Sequence, residues 1–98
     1  MTEDQLAAEV VDLLGARPQL RWHRCKDSRW CRGPKGWPDL AIVGRRLILR
    51  ELKGEETRTR RYQASYGEAL LAAGVSWAVW RPADLESGRI EAELNELC

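Results

Sequence analysis

Two carboxylates and a lysine lie near the ends of adjacent apolar runs in this 98-residue chain. Asp39 precedes the run LAIV, and Glu51 and Lys53 close the run LILRELK. Carboxylate oxygens suit Mg²⁺, which commonly takes one or two of them together with water and substrate phosphate. A lysine on the same face would lie beside the metal-bound water or the phosphate. These residue types favour a site that binds a divalent cation together with a substrate phosphate.

Whether the two carboxylates meet depends on how the chain turns between the apolar runs. A three-residue loop at 44–46 opposes Asp39 to Glu51, with Cβ atoms about 4.5–5.5 Å apart, a pairing of like charges that makes sense if a divalent cation binds between them. A two-residue turn at 44–45 instead opposes Asp39 to Arg50, an ordinary ion pair. The turn residues accept both registers, so the sequence leaves both open.

The elements that must position these residues follow from periodicity and from capping signals. Helical spacing of apolar residues predicts a first helix with Thr2 as its N-cap, and β-formers predict four strands. The order α-β-β-β-α-β plus a terminal helix predicts a single α/β domain over 1–98, with a mixed sheet flanked by helices. The predicted bounds are 3–15, 58–73 (capped by Thr57) and 89–97 for helices, with strands at 19–25, 39–43, 47–53 and 75–80.

The charge distribution is uneven along the chain. Residues 21–61 hold 13 of the 16 basic and 5 of the 15 acidic residues, a net charge of +8, whereas the remainder carries −7. Interleaved with tryptophans, this composition is typical of a surface that grips a nucleic-acid backbone and stacks bases. The candidate DNA-binding residues are Arg24, Arg29, Trp30, Arg32, Lys35, Arg58 and Arg60.

Cysteine usage and hydropathy favour a cytoplasmic protein. The three cysteines are an odd number with no secretory signal before them, so we expect free thiols rather than a disulfide framework, and no zinc site. No apolar run reaches the roughly 18 residues that would span a bilayer, so we expect no membrane partner. The apolar residues Ile90, Leu94 and Leu97 could serve either the core or a dimer surface.

The motif Pro38-Asp39, eleven residues, then Glu51-Leu52-Lys53 resembles the PD-(D/E)xK nuclease superfamily. Further residues are similar to its virus-type replication-repair (VRR-NUC) branch, and the element order matches the superfamily's restriction-endonuclease-like α-β-β-β-α-β core. These residues are Gly36-Trp37-Pro38-Asp39, Glu9 in the first helix, Gln63 early in the following helix, and Trp80-Arg81-Pro82.

The resemblance implies a DNA endonuclease dependent on Mg²⁺, for which Mn²⁺ substitutes. Asp39 and Glu51 would hold the metal together with the backbone carbonyl of Leu52. Lys53 would orient the attacking water or stabilise negative charge. Gln63 would position substrate or the catalytic lysine.

The resemblance also implies a role for a carboxylate of the first helix. Glu9 would complete or support the metal shell. A different helix phase would give that role to Glu3, Asp4 or Asp12.

The resemblance further implies a homodimer that acts on branched DNA such as Holliday junctions. A two-fold dimer presents paired sites to a symmetric substrate, and a 98-residue chain has few residues left to read base edges. The alternative is a non-catalytic nucleic-acid-binding module on the same fold.

Overall fold

Four helices and four strands make up the part of the chain that this computed structural model describes, residues 1–25, 32–33 and 35–98. The strands form one mixed sheet in the order β1-β2-β3-β4, with β3 and β4 parallel and the other neighbours antiparallel. The predicted α/β fold is therefore confirmed. None of these helices is long and apolar enough to cross a membrane. The elements are α1 (Glu3–Gly15), β1 (Arg21–Arg24), β2 (Leu40–Val43), β3 (Leu47–Leu52), α2 (Arg61–Ala72), β4 (Ser76–Trp80), α3 (Pro82–Glu86) and α4 (Arg89–Leu97).

The first helix begins where the sequence predicts. The Thr2 hydroxyl accepts a hydrogen bond from the Gln5 backbone N–H, and the Gln5 side chain accepts one from the Thr2 N–H, at 3.2 and 2.8 Å. This reciprocal pair satisfies two N–H groups that the helix cannot bond internally. The confirmed start at Glu3 matters because it fixes which acidic residue stands at the tip of the helix.

The second helix begins three residues after its predicted start, and the predicted cap at Thr57 is wrong. The N-cap is Arg60, whose backbone N–H donates to the side-chain oxygen of Gln63 at 3.0 Å. The Thr57 carbonyl instead accepts a hydrogen bond from the Arg81 guanidinium at 2.7 Å, which holds that residue in the preceding loop. A tertiary contact therefore overrides a local capping preference.

The core lies between one face of the sheet and the helices α1 and α4. Ile90, Leu94 and Leu97 are fully or nearly fully buried there, so they belong to the core and not to a dimer surface. On the opposite face α2 lies close to Trp77, since a Cβ atom added to Gly67 would come within 2.4 Å of the indole ring. The sheet is thus covered by helices on both faces, as expected for a parallel crossover.

An arginine is buried on the core face of β3. The Arg50 side chain is 5% exposed, and its Nη2 lies 2.6 Å from Oε1 of Glu93 on α4. The guanidinium also donates to the Ser76 carbonyl at 3.0 Å and lies 5.4 Å from the Trp80 ring. Burial lowers the pKa of Arg50, whereas Glu93 acts to raise it. The pair therefore ties β3 to α4 at the cost of removing two charges from water.

The expectation of free thiols is wrong for one cysteine. Cys25, directly after β1, is disulfide-bonded, whereas Cys98 is an exposed free thiol. Cys31 lies outside the described residues.

We expect Glu93→Gln to lower the free energy of unfolding by about 3 kcal/mol or more, because it leaves a buried guanidinium without its counter-charge. Glu96→Gln is the matched control on the same helix. Its partner Arg46 is 2.8 Å away, but both side chains are more than half exposed, so the loss should stay below about 1 kcal/mol. Urea denaturation at pH 7 compares the two, and equal losses would contradict a structural role for the buried pair.

Candidate active site

The hairpin adopts the three-residue loop, which decides the register left open by the sequence. Val43 pairs with Leu47, and Leu40 pairs with Arg50, so the next step along the ladder brings Asp39 opposite Glu51. The loop is held by the end of α4. The Arg45 N–H donates to the Leu97 carbonyl at 2.8 Å, and a Cβ atom on Gly44 would come within 2.4 Å of the same oxygen.

Asp39 is fixed by backbone contacts to both neighbouring strands. Its Oδ2 accepts a hydrogen bond from the Leu52 N–H at 2.9 Å, and its carbonyl accepts one from the Cys25 N–H at 2.8 Å. The carboxylate is therefore oriented before any ligand binds, in the manner that a preorganised site requires.

Glu51 is the most enclosed member of the site, with 1% of its surface exposed. Its Oε1 accepts a hydrogen bond from Nε2 of Gln63 at 2.8 Å and lies 4.0 Å from Nζ of Lys53, which is itself 4% exposed. Four residues predicted for catalysis thus converge at one end of the sheet: Asp39, Glu51, Lys53 and Gln63. Gln63 contacts the carboxylate of Glu51, whereas the resemblance implies that it positions substrate or the catalytic lysine.

The other oxygen of Glu51 has no hydrogen-bond donor among the described residues. Oε2 is buried, and the adjacent Asp39 can bond to it only when one of the two carboxyls is protonated. Burial first, and then the hydrogen bond and charge of Asp39, raise the pKa of Glu51 to about 9, although Lys53 acts in the opposite direction. A buried, unsatisfied carboxylate oxygen is costly, so this atom needs either a proton or a cation.

The carboxylate of α1 that lies near Asp39 and Lys53 is Glu3, not Glu9. Burial, followed by the charge of Asp39, raises the pKa of Glu3, while Lys53 lowers it. Glu9 is exposed and lines a separate cavity of about 520 Å³ with Asp12 and other residues from the ends of α1 and α4. Six residues along a helix correspond to about 9 Å and a rotation of about 240°, so both carboxylates cannot face one site.

The donor set suits a hard divalent cation. No group of three or more His, Cys, Asp or Glu side chains arranged to hold a metal occurs among residues 1–25, 32–33 and 35–98. Mg²⁺, however, is usually bound by one or two carboxylates, with substrate phosphates and waters completing its shell. Asp39 and Glu51 supply that pair, and the unsatisfied Oε2 of Glu51 is a free ligand atom. The residues therefore fit the cation that the sequence predicts.

The predicted DNA-binding residues differ in their exposure and in whether they form an ion pair. Arg24 is half-buried, and its Nη2 lies 3.5 Å from Oδ1 of Asp4, so its charge is partly compensated. Four others are exposed and form no ion pair within the described part of the chain: Arg32, Lys35, Arg58 and Arg60. Arg29 and Trp30 lie outside the described residues.

Sequence reasoning gave no role to Arg81, which supports the loop after β3. Its Nη1 donates to the carbonyls of Gly54 and Thr57 at 2.9 and 2.7 Å. The loop leads from Lys53 to α2, so this contact fixes the connection between two site elements. The only feature of the sequence that pointed to Arg81 was its place in the segment Trp80-Arg81-Pro82.

No family model, curated protein or solved structure matches this chain. We therefore infer the function from the geometry of the site.

We expect the free energy of unfolding in EDTA to fall as the pH rises from about 5 to 9. In this window folded Glu51 retains a proton that the unfolded chain, with a pKa near 4.5, has lost. The folded state binds one more proton than the unfolded chain, so stability decreases with pH, by at most about 1.4 kcal/mol per pH unit. Glu51→Gln should flatten this slope, while the exposed Glu9→Gln should not. Parallel curves for wild type and Glu51→Gln in urea denaturation would refute the assignment.

Proposed function

We propose that the chain is a Mg²⁺-dependent endonuclease of the PD-(D/E)xK type, similar to the VRR-NUC branch, that hydrolyses phosphodiester bonds in branched DNA. Mn²⁺ substitutes for Mg²⁺. The observation that carries the proposal is the convergence of Asp39, Glu51 and Lys53 at one sheet end, with a buried carboxylate oxygen that has no donor among the described residues.

Each residue of the site has a distinct role in this proposal. Asp39 and Glu51 hold the cation, and the carbonyl of Leu52 joins them. A bound divalent cation neutralises phosphate charge and supplies an activated water. Lys53, buried beside Glu51, orients the water and adds positive charge where negative charge develops. Gln63 holds the Glu51 carboxylate in place through its 2.8 Å hydrogen bond.

The distribution of surface charge supports a polyanionic substrate. The exposed basic residues Lys35, Arg58 and Arg60 belong to the segments that lead into the site. The acidic residues Glu9, Asp12 and Glu91 line a cavity formed by α1 and α4, away from it. A DNA backbone is therefore attracted to the side of the molecule that carries the carboxylate pair.

The branched substrate and the homodimer form one joint proposal. Val43 and Leu47 are directly paired on β2 and β3, yet each is nearly half exposed. A second copy covering this apolar pair would bring two sites into a two-fold arrangement that suits a symmetric junction.

We assign the protein to the cytoplasm, where a nuclease has access to DNA. The disulfide at Cys25 is the observation that stands against this assignment, since such bonds are rare in reducing compartments.

We expect purified protein to cut a labelled four-way junction in Mg²⁺ or Mn²⁺ and not in EDTA. Asp39→Asn and Lys53→Met should each reduce the rate by about 100-fold or more, because each removes charge that acts in the transition state. Arg45→Met, at the exposed hairpin tip, is the basic-residue control and should retain activity. Light scattering of the same preparations tests the dimer. Binding without cutting in either metal would establish the alternative, a non-catalytic nucleic-acid-binding module.

We expect Mn²⁺ to raise the thermal midpoint of the wild-type protein and EDTA to reverse the effect, because a ligand that binds only the folded state stabilises it. Asp39→Asn should abolish the shift, and Glu3→Gln should weaken it. Glu9→Gln is the matched control on the same helix and should preserve it. A shift lost in Glu9→Gln but kept in Glu3→Gln would show that α1 contributes a different carboxylate.

A further inference from the structure

Two aromatic side chains stand exposed beside the candidate active site. Trp37 is 44% exposed and Tyr62 is 39% exposed. Trp37 packs against Tyr66, with ring centroids 5.6 Å apart and planes at 83°, and Tyr66 lies one helical turn after Tyr62. These residues form an aromatic surface whose apolar area is open to solvent and free to contact a ligand.

The turn that carries Trp37 is held against the start of α2. Gly36 has φ of +110°, and a Cβ atom there would come within 2.5 Å of the Tyr62 carbonyl oxygen. Only glycine allows both this conformation and this approach. Pro38, directly after Trp37, is buried. The indole is therefore presented on a fixed backbone rather than on a free loop.

Both aromatic residues are joined to site residues along the chain. Trp37 precedes Asp39 by two residues, which limits the distance between their Cα atoms to about 7 Å. Tyr62 immediately precedes Gln63, the residue whose amide holds the Glu51 carboxylate. A group bound on the aromatic side chains would thus lie close to a phosphate held at the carboxylate pair.

The charges around the aromatic pair favour a nucleotide over an apolar partner. Lys35 and Arg61 are exposed and have no acidic partner within the described part of the chain. The Arg60 Nη1 donates to the Tyr62 hydroxyl at 3.2 Å and brings a further positive charge to the ring. Aromatic faces interleaved with basic side chains are the surface that stacks bases while holding their phosphates.

We propose that Trp37 and Tyr62 form a stacking platform for one unpaired base adjacent to the scissile phosphate. A base within a duplex already stacks on its neighbours, so among branched DNAs the platform favours those with an unpaired nucleotide at the cleavage point, such as a flap, over a fully paired four-way junction. This inference rests on the proposed nuclease function, since it takes its scissile phosphate from that site.

The test measures DNA binding in EDTA, which separates stacking from cleavage. The probe is a duplex with a single-stranded overhang, and a series of abasic substitutions moves through its unpaired nucleotides. For one abasic position, wild type should lose about 5- to 150-fold in affinity, as expected for one stacked base. Trp37→Leu should show that loss on intact DNA and no further loss on the abasic probe, whereas Trp37→Phe should restore binding.

Trp22→Leu is the matched control, because Trp22 is similarly exposed, at 42%, but pairs with Ile42 and so belongs to the opposite face of the sheet. It should bind like wild type. If circular dichroism shows that Trp37→Leu does not fold, Tyr62→Leu is used for the same test.

Equal affinity of wild type for intact and abasic probes overturns the platform, even if metal-dependent cutting is found. Dissociation of a dimer by Trp37→Leu also overturns it, and would identify a protein interface instead. A protein that neither binds nor cuts DNA removes the proposed function and the platform together.

Discussion

The register of the β2–β3 hairpin is the constraint on which the candidate site depends. A one-residue slip would move every side chain of β3 to the other face and would separate Glu51 from Asp39. The end of α4 prevents this slip, since the Leu97 carbonyl accepts the Arg45 N–H and packs on Gly44, where a side chain would not fit. Helix packing at one end of the hairpin thus holds two carboxylates together at the other.

Strand β3 carries a buried charged residue on each of its faces. The two residues differ in how completely other groups pair with their charge and their hydrogen-bonding atoms. On the core face, Arg50 has a carboxylate partner at 2.6 Å and several further acceptors. On the site face, Glu51 has a lysine at 4.0 Å and one amide donor, but one oxygen has no donor within the described part of the chain. The first arrangement stabilises the fold, whereas the second stores an unfavourable interaction that a cation or a proton relieves. This incomplete compensation at Glu51 is the feature on which the proposed cation site depends.

Several exposed basic residues and a group of acidic residues occupy different parts of the molecule. Exposed basic residues at 35, 58 and 60 belong to the segments that lead into the carboxylate pair, whereas acidic residues of α1 and α4 line a separate cavity. In the proposed function, this distribution would orient an approaching polyanion before it makes contact. In the proposed platform, Trp37 and Tyr62 would add a contact to one base, whereas contacts to the DNA backbone carry no information about unpaired bases.

The sequence by itself determined the element order, the start of α1 at its Thr2 cap, and the face that Glu51 shares with Lys53. These features depend on local rules of capping and alternation. Only the tertiary structure decided the hairpin register, because the turn residues accept two loops and a contact with α4 selects one. It also decided that Glu3 rather than Glu9 approaches Asp39, since both lie on the same predicted helix and only packing fixes which end meets the strand. The late start of α2 and the buried Arg50 were likewise beyond prediction. Their partners, Arg81 and Glu93, lie more than 20 residues away in the chain, where local pattern carries no information.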